Sequence, residues 1–180
     1  MGMTISEAPA LPVALAELKS FLRISVSEED ALLAGLVRAA ADLCEAFTGR
    51  ALIDRAVEEM TAASTARTRL GVGPVRAIES VALIDEAGTV TALDADAYAA
   101  EIDAGGEGWV RLHAAGEARR LRVGYRAGMA ADWNGVPEML RHGIIRLAAQ
   151  YYLRRGTTED LEVPAAVTAL WRPWRRLRLR

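Results

Sequence analysis

The side chains of this 180-residue chain that could do chemistry are few and scattered. Two histidines, His113 and His142, stand in unrelated segments, one at the end of an expected strand and one on the flank of an expected helix. Neither has a cysteine or carboxylate at ligand spacing, so neither reads as a metal ligand. Carboxylates pair at Glu28/Glu29, Glu58/Glu59 and Asp94/Asp96. The first pair suits the positive end of a helix and the others solvated strand ends or turns, so no acid–base dyad is expected. Gly71-Val72-Gly73 has the look of a phosphate-cradling loop, but Pro74 brings no N–H and no Gly-Lys-Ser/Thr follows. No serine stands in a nucleophile elbow. Cys44 is alone, so it makes no internal disulfide, and its place on an apolar helical face predicts a small buried hydrophobe. The sequence predicts no enzyme, metal site or cofactor.

The exception is the C-terminal stretch WRPWRRLRLR, residues 171–180, which asks for a partner rather than a substrate. Tryptophan and arginine dominate energetically important contacts at interfaces. Pro173 interrupts a helix and holds Arg172 toward extended backbone, so an exposed, extended arm is expected over 171–180. Such an arm either folds back over its own core or binds something else. Five arginines in the last ten residues repel one another unless acidic surface faces them, which favours the second reading. The candidate binding residues are Trp171, Arg172, Pro173, Trp174, Arg175, Arg176, Leu177 and Arg178. DNA is the other acidic partner available. Residues 1–136, however, carry 13 basic against 20 acidic side chains, a balance of −7 beside +5 for residues 137–180, and an acidic body opposes a DNA polyanion.

The element that must position this arm is VPEMLRHGIIRLAAQYYLRR, residues 136–155. Pro137 suits a first helical turn, Glu138 suits its positive end, and Leu140, Ile144, Leu147, Ala148 and Tyr151 recur at three- and four-residue spacing. A helix over 137–155, about 28 Å long, follows, with Gly156 as its stop. A second helix over 28–48 is expected, with Ser27 as its cap and Leu32, Leu33, Leu36, Val37, Ala40, Leu43, Cys44 and Phe47 as its stripe. Shorter helices fall at 13–22 and 164–170, and residues 1–12 read as a loose lead-in. Between the two long helices the period shortens. Residues 51–125 break into short glycine-punctuated runs, clearest where Leu121, Val123 and Tyr125 alternate with Arg120, Arg122 and Arg126, as a half-buried strand requires. The expected fold is α+β: a single domain over 1–170 with a core of antiparallel helices, a small antiparallel β-sheet inserted at 51–125, and the extended C-terminal arm.

Composition agrees with a globular chain: 52% hydrophobic and 26% charged residues, large enough to bury a core without metals or disulfides. The N-terminus lacks a basic, apolar signal pattern, and no apolar run approaches the roughly 18 residues a membrane span needs. The expectation is a chain that is cytoplasmic at synthesis and has no membrane partner.

Taken in order, FTGRALI (residues 47–53), LRVGYRAGM (121–129), VPEMLRHGIIRLAAQYYLRRG (136–156) and VPAAVTALWRPWRRLRL (163–179) resemble the head–tail connector, or adaptor, proteins of long-tailed bacteriophages and gene transfer agents. The resemblance spans nearly the whole chain and rests on the order and spacing of weak motifs. Trp174 departs from it, standing where tyrosine is expected after the proline. The resemblance implies a non-enzymatic subunit of a ring, usually of twelve copies, at the head–tail interface of a virion or phage-like particle. Such a ring lies beneath the portal protein, meets a tail-side neck or stopper protein, and lets DNA pass through its channel without specific binding. The family's C-terminal segment reaches the portal, which implies that role for the arm. Two other readings stand beside it: another neck or tail-completion protein of the same particle, and a small DNA-binding protein using the arginines.

Overall fold

The computed structural model describes residues 2–114, 120–154 and 163–176, which divide into two compact units. One is built from residues up to Ala8 and from Asp54–Gly128, the other from Pro9–Ile53 and from Met129 onward. The fold is α+β with antiparallel sheets, as the periodicities predict.

The first unit holds β1 (Gly2–Ile5), β2 (Arg55–Ala62), β3 (Thr68–Arg69), β4 (Val75–Ile84), β5 (Val90–Ala92), β6 (Tyr98–Ile102), β7 (Gly108–Leu112) and β8 (Arg120–Ala127). Five strands pair in the order β1-β2-β8-β4-β5 and three in the order β3-β7-β6, so the expected single small sheet is in fact two. Strand β8 lies central because its alternation is cleanest: Leu121, Val123 and Tyr125 are buried. Opposite them in register stand Thr61, Glu59 and Val57 of β2, also buried. Val110 and Leu112 of β7, with Leu70 and Val75, close the same apolar core. Gly124 lies against β4 so closely that a Cβ there would sit 2.5 Å from Ser80 Oγ.

Two strands differ from the sequence reading. Residues 2–5 are an edge strand rather than a loose lead-in, with Gly2 opposite Met60 and Ile5 opposite Val57. Tyr98–Ile102, which the sequence pattern does not single out, pairs residue for residue with β7.

The second unit holds α1 (Leu15–Leu22), α2 (Asp30–Thr48), α3 (Glu138–Leu153) and α4 (Ala165–Trp171), with single 3-10 turns at Trp133–Gly135 and Arg172–Trp174. Helix α2 packs on α3, and α3 also carries α1 and α4. Leu33, Val37, Ala40, Ala41 and Cys44 of α2 and Leu140, Ile144, Leu147 and Ala148 of α3 are buried, the stripes that periodicity marks. Leu32 and Leu43, expected in the α2 stripe, are exposed, because that stripe is wider than the surface α3 covers. The expected Ser27 cap also differs: Glu29 holds the N-cap position, its carboxylate accepting from the Tyr152 hydroxyl rather than capping the helix, and Ser27 accepts from the Asp30 N–H through its backbone carbonyl at 3.1 Å. Gly49, in the left-handed region at φ 68°, ends α2 as predicted. Arg154 is the residue at the C-terminal boundary of α3, and the expected stop at Gly156 lies outside the described residues.

Candidate functional site

Trp171 is the clearest departure from the expected arm. Val167 and Trp171, four residues apart on one face of α4, are both buried, and the indole is 0% exposed. It lies on α3 where Gly143 leaves room: a Cβ at Gly143 would fall 2.1 Å from the indole Nε1. That N–H reaches the Leu140 carbonyl at 3.4 Å, and the ring meets Phe47 of α2 with centroids 6.0 Å apart, tilted by 53°. Trp171 is therefore core, and the segment beyond it starts from a fixed point.

The next residues are not extended either. Arg172, Pro173 and Trp174 turn once more as a 3-10 helix, which tolerates Pro173 because the first turn needs no N–H from it. The segment then ties itself to the end of α2. The Arg176 N–H donates to the Thr48 carbonyl at 2.7 Å, and Arg50 Nε donates to the Trp174 carbonyl at 3.0 Å. The Arg175 guanidinium stands 5.7 Å from the centre of the Phe47 ring. A helix leaves its last carbonyls unpaired and its C-terminus partially negative, so a donor and nearby cations are favourable there. Arg172, Pro173 and Arg175 remain exposed, Trp174 is half-buried, and Leu177 and Arg178 lie outside the described residues. Of the eight predicted binding residues, the structure thus sets one in the core and brings five together beside the end of α2.

Elsewhere the candidates stay apart. His113 and His142 are exposed in different units, and His113 Nδ1 lies 2.7 Å from the Asp96 carbonyl. Among the described residues no three His, Cys, Asp or Glu side chains could hold a metal ion. The amides of the Gly71–Pro74 turn serve the chain itself: Gly71 N–H donates to Glu59 Oε2 at 2.8 Å and Val72 N–H to the Tyr125 hydroxyl at 3.1 Å.

Two polar clusters were not visible to sequence reasoning. Glu59, read as solvated, is buried, and it accepts from the Tyr125 hydroxyl at 2.8 Å. Desolvation, and then the Glu59 carboxylate, push the Tyr125 phenol above its ordinary value of 10.0, while the Val72 N–H pulls the other way. Arg141, outside the apolar stripe of α3 set out above, is largely buried. It bonds Glu138, approaches Glu17 at 3.7 Å and lies 5.4 Å from the centre of the Trp133 ring, pinning α1 and the 3-10 turn to the start of α3. The i, i+3 spacing of Glu138 and Arg141 was the one available signal.

Cys44 is buried, and desolvation, then Glu45, push its thiol well above the ordinary range. The folded protein is expected to resist a thiol reagent at about pH 8 and to react fully once unfolded. Rapid labelling of the folded chain, read by mass spectrometry, would contradict the burial.

The fold is α+β, and the C-terminal segment sets exposed arginines and a half-buried tryptophan beside the end of α2. Residues 12–88 match the family model described as phage gp6-like head-tail connector protein. Three solved structures resemble the whole chain. One chain, in the neck of an empty GTA particle computed with C6 symmetry, has a TM-score of 0.81 and 27% identity. Another, in the virion of a native gene transfer agent (GTA) particle, has a TM-score of 0.81 and 26% identity. A third, in the neck of a native GTA particle computed with C12 symmetry, has a TM-score of 0.79 and 28% identity. Each likeness covers 100% of this chain and 98% of the other. No curated protein matches the chain. The resemblance to head–tail connectors, structural proteins rather than enzymes, is borne out.

Proposed function

We propose that the chain is a structural connector subunit in the neck of a phage-like particle, that its copies form a ring under the portal protein, and that this ring extends the DNA channel toward a tail-side neck protein. The observation that carries this reading is the full-length likeness to chains from gene transfer agent particles, two of them described as necks computed with C6 and C12 symmetry. A net charge of −2, with its acidic excess before residue 137, suits a conduit that DNA slides through rather than grips.

The portal contact falls to the C-terminal segment. Trp171 fixes its origin, Arg172, Pro173 and Arg175 stand at the surface, and Leu177 and Arg178 follow in sequence. Truncation after Arg176 tests this cleanly, because the Thr48 and Arg50 contacts and the whole of α4 stay in place. Heads carrying the truncated protein are expected to lose tail attachment while the protein melts as the full chain does. Normal tailing would overturn the portal role of the last four residues.

The same neck likeness also fits a neck or tail-completion protein that binds the tail tube. Capture by purified portal protein supports the connector, and capture by the tail tube alone supports the alternative.

A further inference from the structure

Helix α2 is apolar on two sides. Its inner side is the buried stripe already described, and its outer side carries Leu32, Gly35, Ala39 and Leu43 with Arg38 and Asp42 along one edge, all exposed. Leu32 and Leu43 are 46% and 38% exposed, and a Cβ at Gly35 would meet nothing within 4 Å. A soluble surface helix ordinarily turns charge outward, so an outward strip of Leu32, Gly35, Ala39 and Leu43 marks a face for contact with another surface. Asp42 breaks the apolar strip and forms no ion pair among the described residues.

A second surface of the same unit is also apolar and carries the opposite charge. Phe21 of α1 and Leu153 of α3 are 52% and 72% exposed and flank a groove of about 280 Å³ between α1, α3 and α4. Arg146 lines that groove and is likewise without an ion pair among the described residues. None of the groove's lining residues comes from α2, so the two surfaces are distinct. That distinction matters because a closed ring of identical copies above two needs two different patches on each subunit, each meeting the other on its neighbour.

We propose that these are the two lateral faces of the ring: Phe21 and Leu153 of one copy lie along Leu32, Gly35 and Leu43 of the next, with Arg146 facing Asp42. The absence of a side chain at Gly35 lets the neighbour come close, and the Arg146–Asp42 pair sets the register where apolar contacts alone would slide. The inference rests on the connector reading above and specifies its subunit contact.

The test uses whole particles assembled with variant protein. Gly35→Glu has room in the subunit, so its melting is expected to match the original chain while tailed particles fall by about tenfold or more. Asp42→Arg and Arg146→Asp are each expected to cause a similar loss, and the double exchange to restore tailing. Asp42→Cys with Arg146→Cys is expected to give a ladder of disulfide-linked multimers from assembled particles treated with a mild oxidant such as oxidised glutathione. Buried Cys44 does not compete. Tailing unaffected by Gly35→Glu overturns the proposal. Absence of rescue by the double exchange together with absence of a ladder overturns it as well, as does cross-linking to a different neck protein. A chain that never enters the neck, even unaltered, defeats the connector reading instead.

Discussion

Trp171→Ala is expected to destabilise the helical unit by about 3–5 kcal/mol, the range for emptying a fully buried aromatic site. The indole is 0% exposed, lies on α3 and meets Phe47 of α2, so its loss opens a cavity bounded by three helices. The site is also intolerant from the other side. Gly143→Ala places a methyl 2.1 Å from the indole Nε1, and the ring must leave its position, at a cost of about 1–3 kcal/mol. Trp171→Phe keeps part of the packing, leaves a smaller void and forfeits the long bond to the Leu140 carbonyl, for a loss of about 1–3 kcal/mol. Denaturant unfolding followed by far-UV circular dichroism measures all three. A loss below about 1 kcal/mol for Trp171→Ala would show that the indole does not fill the core. The consequence for function is practical: a truncation that removes Trp171 confuses folding with docking, whereas one after Arg176 separates them.

Why this tryptophan escaped sequence reasoning is physical. Charge and proline dominate the pattern of WRPWRRLRLR, and Pro173 argues against any helix through it. The contrary signal was the four-residue spacing of Val167 and Trp171 and the side-chain gap at Gly143, which pair only once α3 and α4 are in contact. Elements whose amphipathic period is strong were legible: α3 from Pro137 and its stripe, α2 from its leucines and Gly49, and β8 from its alternation. Strands β1 and β6 were not, because each lies at a sheet edge and is largely exposed, and edge positions impose little alternation. The candidate surface shows the same limit. Composition marks which residue types contact partners, but which of them the subunit keeps for itself is decided by tertiary contacts.

Glu59 shows this inside the first unit and carries the second large expected effect. Successive strand residues face opposite ways, so Glu58 meets solvent while Glu59, between Val57 and Thr61, turns inward. Its Oε2 takes the Tyr125 hydroxyl and the Gly71 N–H, and the same hydroxyl takes the Val72 N–H. Glu59→Ala takes the acceptor from the buried Tyr125 hydroxyl and one acceptor from the half-buried Gly71 N–H, so a loss of about 1–3 kcal/mol is expected. Tyr125→Phe leaves the Val72 N–H unpaired and is expected to cost about 1–2 kcal/mol. The pH dependence separates the two. Burial holds the folded Tyr125 phenol above its ordinary value of 10.0, so above about pH 10 the unfolded chain sheds that proton while the folded chain keeps it. The stability this group contributes is therefore complete below about pH 10 and declines as pH rises beyond it. Urea unfolding from about pH 7 to about pH 11 is expected to show an alkaline decline in the original chain that is shallower in Tyr125→Phe. Equal slopes in the two proteins would mean that the phenol is not desolvated, and that the Glu59 cluster does not hold the Gly71–Pro74 turn in the way its distances imply.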